Sequence, residues 1–204
     1  MDPRPNDPDP PRKDTTGELA RAAGRGEPHG FAGLYARTAP ALYAWASARL
    51  TGPLQGKVEP EDVVQEVYAR AIDRFAAFDP SREFRPWLFG IANRVLLELL
   101  RHSAKRARRE MPGIGSHSPV DELADQATAI SQRVARDEAL LAFVQRMQAL
   151  GETERKVLVY RGLEGLPHTR VATLAGISVA NAEKTWQRLR KRFEDGSLPP
   201  DLLV

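Results

Sequence analysis

The sequence has no cysteine. That one absence removes disulfide scaffolds, cysteine-based zinc sites, iron–sulfur ligation and thiol catalysis together, and it suits a reducing cytosol. Long apolar runs are missing as well. The longest near-continuous one, Val95–Leu100, is broken by Glu98 and falls far short of the ~20 apolar residues of a membrane helix, so no membrane insertion is expected. The four histidines, His29, His102, His117 and His168, show no metal-ligand spacing with acids. There is no Gly-x-x-x-x-Gly-Lys phosphate loop and no serine nucleophile motif. The chain is therefore expected not to be an enzyme and to need neither metal nor cofactor. Its opening, MDPRPNDPDPPRKD, lacks an apolar stretch, so no signal peptide is expected and the expected location is cytoplasmic.

What is present points to helices. The 204 residues are 42% hydrophobic, enough to bury a core, while a mean hydropathy of -0.44 keeps the surface polar. Residues 1–30 carry six of the sixteen prolines and few large apolar side chains, so they read as a disordered extension, with a short helix allowed around Gly17–Gly24. From Phe31, apolar residues recur at helical intervals through Leu34, Tyr35, Leu42, Trp45 and Leu50, with Pro40 a candidate kink or break. Pro60 opens a second helix with Glu61 and Asp62 in its first turn, where acids favour the positive dipole end. Its stripe is Val63, Val64, Val67, Tyr68, Ala71, Ile72 and Phe75; the opposite face carries Asp62, Gln65, Glu66, Arg70 and Asp73. A third helix starts near Phe84–Pro86 and runs through Trp87, Leu88, Ile91, Val95 and Leu99 to a basic end. Residues 109–131 contain Pro112, Gly113, Gly115 and Pro119 and read as a flexible linker. Helical periodicity returns over Val134–Leu150, and several short helices follow between Glu152 and Phe193. No β-type alternation persists. The expected fold is all-α: two small helical domains, 31–108 and 132–195, with a tail over 196–204.

Charge is partitioned along the chain. Residues 59–83 hold seven acids against three arginines, a balance of -4. Residues 94–109 hold six bases against Glu98, a balance of +5, and 110–138 return to -4. Any one such block is ordinarily just a solvated face. Acidic, basic and acidic blocks in succession suggest one surface for a basic protein partner and another for phosphates. Opposite charges on a tether also predict compact arrangements that mask the basic surfaces, above all at low salt.

The sharpest local signal is in the last fifty residues. Thr169–Ser178 reads as a short helix and turn, and Val179–Arg192 as a longer basic helix. Ala172 is small where two helices cross, Gly176 suits a left-handed turn, and Ser178 is a natural N-cap. This is the grammar of a helix-turn-helix whose second helix lies in the major groove, against the alternative of an ordinary αα-hairpin. Lys184, Arg188 and Lys191 share one side of that helix, and Ala182, Leu189 and Phe193 face the core. Asn181 and Gln187 have the chemistry to read base edges, whereas the lysines and arginines also suit phosphates alone.

The stretches FAGLYARTAPALYAWASARL, EPEDVVQEVYARAIDRFAAFDP and FRPWLFGIANRVLLELLRHSAKR resemble region two of the extracytoplasmic-function (ECF) sigma factors of the sigma-70 family. The stretch LGETERKVLVYRGLEGLPHTRVATLAGISVANAEKTWQRLRKRF resembles their region four. The resemblance implies a promoter-specificity subunit that binds core RNA polymerase, through the coiled coil of the largest subunit and the flap. It also implies contact with promoter DNA in double- and single-stranded form, and regulation by an anti-sigma protein. Core-polymerase binding would fall to Asp62, Gln65, Glu66 and Arg70. The downstream element and its melting would fall to Asp79, Ser81 and Arg82 in the loop before the third helix, then Arg94, Glu98, Arg101, Lys105 and Arg106. The upstream element would fall to Thr169, Asn181, Glu183, Lys184, Gln187, Arg188 and Lys191. Trp87 invites a base-stacking role, but its spacing with Ile91 and Val95 favours the core. One departure from the family pattern stands out. Where the family usually reads Ile-Ala-x-Asn, this chain reads Ile91-Ala92-Asn93-Arg94, so base preference does not transfer at that slot. The competing reading is a conventional helix-turn-helix regulator that acts without polymerase.

Overall fold

The computed structural model describes residues 15–79, 81–106, 121–193, 198 and 201–203, and among these it contains nine α-helices and no strand. In chain order they are α1 (Thr16–Gly24), α2 (Pro28–Arg49), α3 (Pro60–Arg74), α4 (Phe84–Arg106), α5 (Asp121–Ala135), α6 (Glu138–Gln148), α7 (Glu152–Val157), α8 (His168–Ala175) and α9 (Val179–Phe193). A π-helical segment, Leu158–Leu163, continues α7.

The long α2 is the organising element. Its middle, from Ala39 to Ala46 apart from Pro40, is buried on every side, as expected of a helix that neighbours surround. That enclosure explains why Pro40 does not break it: packing outweighs the lost backbone hydrogen bond, and α2 runs unbroken from Pro28 to Arg49. Against α2 pack α3, through Val63, Val64, Val67, Tyr68 and Ala71, and α4, through Leu88, Phe89, Ala92 and Val95. Phe31, Phe75, Phe78, Phe84 and Trp87 form an aromatic cluster where α3 passes into α4, with ring centroids 4.7–6.3 Å apart. Trp87 is half-buried within that cluster. The second unit closes around Leu140, Phe143, Met147, Leu158, Leu163, Val171, Leu189 and Phe193, all essentially without solvent contact.

Two expectations change and a third gains detail. The short helix allowed around Gly17–Gly24 is present as α1 and packs on the fold. Thr15 and Glu18 form a capping box at the start of α1, and α1 buries Leu19, Ala20, Ala22 and Ala23 against α2. Residues 1–14 lie outside the described residues. The linker expected over 109–131 ends sooner, because residues 121–131 belong to α5, which packs across α2 and α3. Its sequence spaces Leu123, Ala127, Ile130 and Val134 at helical intervals, a pattern that the Pro/Gly content of 112–119 overshadowed. Within α5, Ser131 is buried and hydrogen-bonds the Tyr35 hydroxyl of α2. Residues 107–120 lie outside the described residues. Finally, the periodic stretch Val134–Leu150 is two helices, since Asp137 caps α6 by accepting a 3.0 Å hydrogen bond from the Leu140 amide.

The two units meet directly. α2 contacts α6 and the π-helical segment, and a pair of polar clusters described below sits in that contact.

Candidate nucleic-acid interface

The acidic face of α3 forms as its amphipathic pattern dictates. Asp62 is exposed, while Gln65, Glu66 and Arg70 are half-buried along the side that avoids α2. Arg70 is the joint of this face. Its Nε lies 2.6 Å from Glu66 Oε1, and its Nη1 lies 2.6 Å from Glu98 Oε2 on α4. The guanidinium thus bridges a residue expected to touch polymerase and one expected to touch DNA. Asp62 carries its charge apart from that cluster.

The loop before α4 is held by its own first acid. Asp79 Oδ1 accepts from both the Ser81 amide, at 2.9 Å, and the Ser81 hydroxyl, at 2.7 Å; Arg82 lies 3.5 Å from the other oxygen. The Ser81 hydrogen bonds hold the Asp79 carboxyl below its ordinary range. Ser81 and Arg82 are exposed at the tip. On α4, Gly90, Arg94 and Arg101 are exposed on one side, with Glu98 half-exposed between them. Asn93 turns back on its own helix and donates to the Phe89 carbonyl at 2.9 Å, so Arg94 is the side chain presented outward. Lys105 and Arg106 belong to α4, but their side chains lie outside the described residues.

In the second unit, α8, the turn and α9 take the helix-turn-helix form. Gly176 adopts φ +70°, which a side chain with Cβ strains to reach, and Ser178 Oγ accepts from the Asn181 amide at 3.2 Å. Ala182, Leu189 and Phe193 are buried, whereas Asn181, Glu183, Lys184, Gln187, Arg188 and Lys191 are all exposed. Thr169, at the start of α8, is exposed as well. Two of these side chains are partly committed within the helix: Asn181 Oδ1 accepts from the Thr185 hydroxyl at 3.3 Å, and Arg188 Nη2 donates to the same hydroxyl at 3.4 Å.

The sequence reading missed the polar groups between the units. Glu164, which follows the π-helical segment, is 4% exposed; it accepts from Trp45 Nε1 at 2.8 Å and pairs with Arg49 at 3.0 Å. Arg49 in turn stacks over the Trp45 and Tyr160 rings at 5.5 and 5.0 Å. Arg85, in the first turn of α4, is 9% exposed and donates to main-chain carbonyls of the second unit and the tail. Burial pushes its guanidinium down to about 10, so it stays charged at neutral pH. A signal for both existed in the sequence: each is a lone charge inside an apolar frame, Phe84-Arg85-Pro86-Trp87 and Leu163-Glu164-Gly165-Leu166.

Residues 34–106 match sigma-70 region 2, and residues 140–193 match sigma-70 region 4. The chain belongs to the sigma-70 family. Among its relatives is the RNA polymerase sigma factor CnrH of Cupriavidus metallidurans, 29% identical over 178 residues that cover 86% of this chain and 90% of CnrH. Another is the probable ECF RNA polymerase sigma factor SigI of Mycobacterium tuberculosis, 29% identical over 144 residues, or 68% of this chain and 47% of SigI. The chain thus spans nine-tenths of one relative and about half the length of the other. A solved structure of CnrH in complex with the cytosolic domain of CnrY aligns over 88% of this chain and 94% of its own, with 25% identity and a TM-score of 0.47. With both regions present in family order, the chain is an ECF-type sigma factor, a polymerase-binding subunit that directs transcription to promoters. The reading as a conventional helix-turn-helix regulator is set aside, since region 2 has no place in it.

Proposed function

We propose a division of labour among the faces of this sigma factor. Asp62, Gln65, Glu66 and Arg70 of α3 dock on the coiled coil of the largest polymerase subunit, and the second unit engages the flap. The Asp79–Arg82 loop and the exposed side of α4, with Arg94, Glu98 and Arg101 and then Lys105 and Arg106, engage the downstream promoter element and its opened strand. Thr169 and the α9 face, Asn181, Glu183, Lys184, Gln187, Arg188 and Lys191, engage the upstream element in the major groove. The factor acts in the cytoplasm and is held in reserve by an anti-sigma protein.

The observation that carries this reading is the pairing of an exposed acidic α3 with an exposed basic α9 in one chain. A basic helical face suits phosphates and base edges, and an acidic one suits a basic protein surface. Run-off transcription with purified core polymerase on a promoter library tests it. The chain should confer discrete start sites on core enzyme, and gel shifts of duplex promoter should need that enzyme. Tight duplex binding without polymerase, and no start sites with it, would overturn the assignment.

A further inference from the structure

Arg85, in the first turn of α4, follows the loop that the proposed reading gives to the opened promoter strand, yet it faces away from solvent. Every acceptor described for it is a main-chain carbonyl. Its Nη1 donates to Gly162 O at 3.4 Å, Leu163 O at 3.2 Å and Leu202 O at 3.0 Å, and its Nη2 donates to Asp201 O. Gly162 and Leu163 end the π-helical segment, so their carbonyls belong to the electron-rich terminus of a helix, where a cation is favoured. Asp201 and Leu202 belong to the C-terminal tail.

That tail is seated rather than merely adjacent. Leu202 is 1% exposed, and Asp201 adopts a left-handed φ of 60°. The Asp201 carboxylate lies 3.0 Å from Arg37 of α2. A Cβ on Gly162 would stand 3.0 Å from both Leu203 and Trp186, so a side chain there would press on the seated tail. Beside the tail lies a cavity of about 480 Å³ whose lining includes Ser81, Arg82, Arg85 and Arg37. The tail therefore offers the arginines of this cradle a carboxylate and two carbonyls, and Leu203 forms part of its wall. A single DNA strand would offer phosphates to the same guanidinium groups and bases to the same cavity.

We infer that the C-terminal tail Asp201–Leu203 is an internal occupant of the promoter-strand cradle, a stand-in that clasps the two units together and must leave when single-stranded DNA enters. The inference rests on the proposed assignment of the Asp79–Arg82 loop, which leads into Arg85 and α4, to the opened strand. The exchange is chemically sound. The guanidinium groups trade neutral carbonyls and one carboxylate for anionic phosphates, and that gain is set against the loss of Leu202 burial. The free chain then binds single strands weakly, and partners that pull the units apart uncover the site.

The test is fluorescence anisotropy with a labelled, mixed-sequence DNA single strand of about 12 nucleotides, a length within the usual range of single-strand sites. Leu202→Asp places a charge where the leucine is buried and evicts the tail. Its added negative charge alone would weaken DNA binding, so tighter binding reports vacancy; a gain of about tenfold is expected from the lost leucine burial. Asp201→Asn keeps Leu202 in place and removes only the carboxylate that faces Arg37; about a twofold gain is expected. Asp73→Asn, an exposed acid on α3, makes the same charge change elsewhere and should bind as the unmodified chain does. A tail with a purely structural role would lower the melting temperature in Leu202→Asp without tightening single-strand binding, and that result overturns the inference. If Leu202→Asp loses its helical circular dichroism signal, Asp201→Asn decides: affinity no different from Asp73→Asn overturns the inference. Run-off transcription separates this failure from that of the parent reading. Start sites with unaltered single-strand affinity remove the tail assignment alone, whereas no start sites from the unmodified chain remove both.

Discussion

Glu164 ties the second unit to two side chains of α2. Its carboxylate satisfies the Trp45 indole and the Arg49 guanidinium at once, inside a contact that excludes most water. A buried pair of this kind adds little by comparison with apolar packing, but removing one partner strands the other. Glu164→Ala should therefore cost about 3 kcal/mol in chemical denaturation, a typical value for breaking such a pair. Glu164→Gln keeps an acceptor for Trp45 and should lose less. Equal losses would mean that the indole hydrogen bond contributes nothing. Tyr35 makes a second residue-scale prediction. Burial, only partly offset by the Ser131 hydrogen bond, pushes its hydroxyl up to about 12. A folded pKa above the unfolded value near 10 gives stability that is complete below pH 10 and is lost as pH rises from 10 to 12. Thermal melts across that window should decline for the unmodified chain and decline less steeply for Tyr35→Phe.

At the scale of elements, α3 and α9 carry the two opposed faces, and each can be altered without disturbing its core stripe. Asp62 is exposed and stands apart from the Arg70 cluster, so Asp62→Lys should cost only its first-turn dipole interaction, about 0.5–1 kcal/mol, and still weaken association with core polymerase. Glu66→Lys is less clean. It removes an i, i+4 ion pair and sets a lysine against Arg70, a structural cost of about 0.5 kcal/mol before any partner is considered. Undiminished polymerase binding by the double variant would remove α3 from the docking surface. Promoter contacts should divide by element. Lys184→Ala and Arg188→Ala should weaken protection of the upstream element, by about 1–3 kcal/mol where the side chain reads a base and less where it touches phosphate. Arg94→Ala and Arg101→Ala should impair the downstream element instead. Footprints in which all four variants lose both elements equally would contradict this division.

For the whole molecule, the decisive feature is that the two units are closed on one another by buried groups. The charge blocks predicted compaction by an acidic linker at low salt, but residues 107–120 lie outside the described residues, and the observed contact uses Trp45, Arg49, Glu164 and Arg85. Buried pairs are screened far less than exposed ones. Small-angle scattering should therefore give a radius of gyration of about 16–17 Å, the value for a compact chain of this length, with little change as salt rises. Glu164→Ala should enlarge it. Expansion of the unmodified chain with salt would return the linker charges to the controlling role.

The sequence by itself determined the helical class, the three apolar stripes of α2, α3 and α4, the helix-turn-helix grammar of α8 and α9, and the separation of acidic from basic faces. These are legible because they depend on neighbours three and four residues apart: Val63, Val67 and Ala71 declare their face without reference to the rest of the chain. Caps and turns are equally local, which is why Ser178 and Gly176 could be assigned from type and position. Tertiary structure alone decided that Pro40 stays inside a helix, because enclosure by other elements outweighs a propensity penalty. It alone decided that α1 and α5 join the first unit and that Arg70 ties α3 to α4. It also decided that Arg85 and Glu164 are buried. Their partners lie 77 to 119 residues away along the chain, and no periodicity within a window of twenty residues reports a contact that only folding brings together.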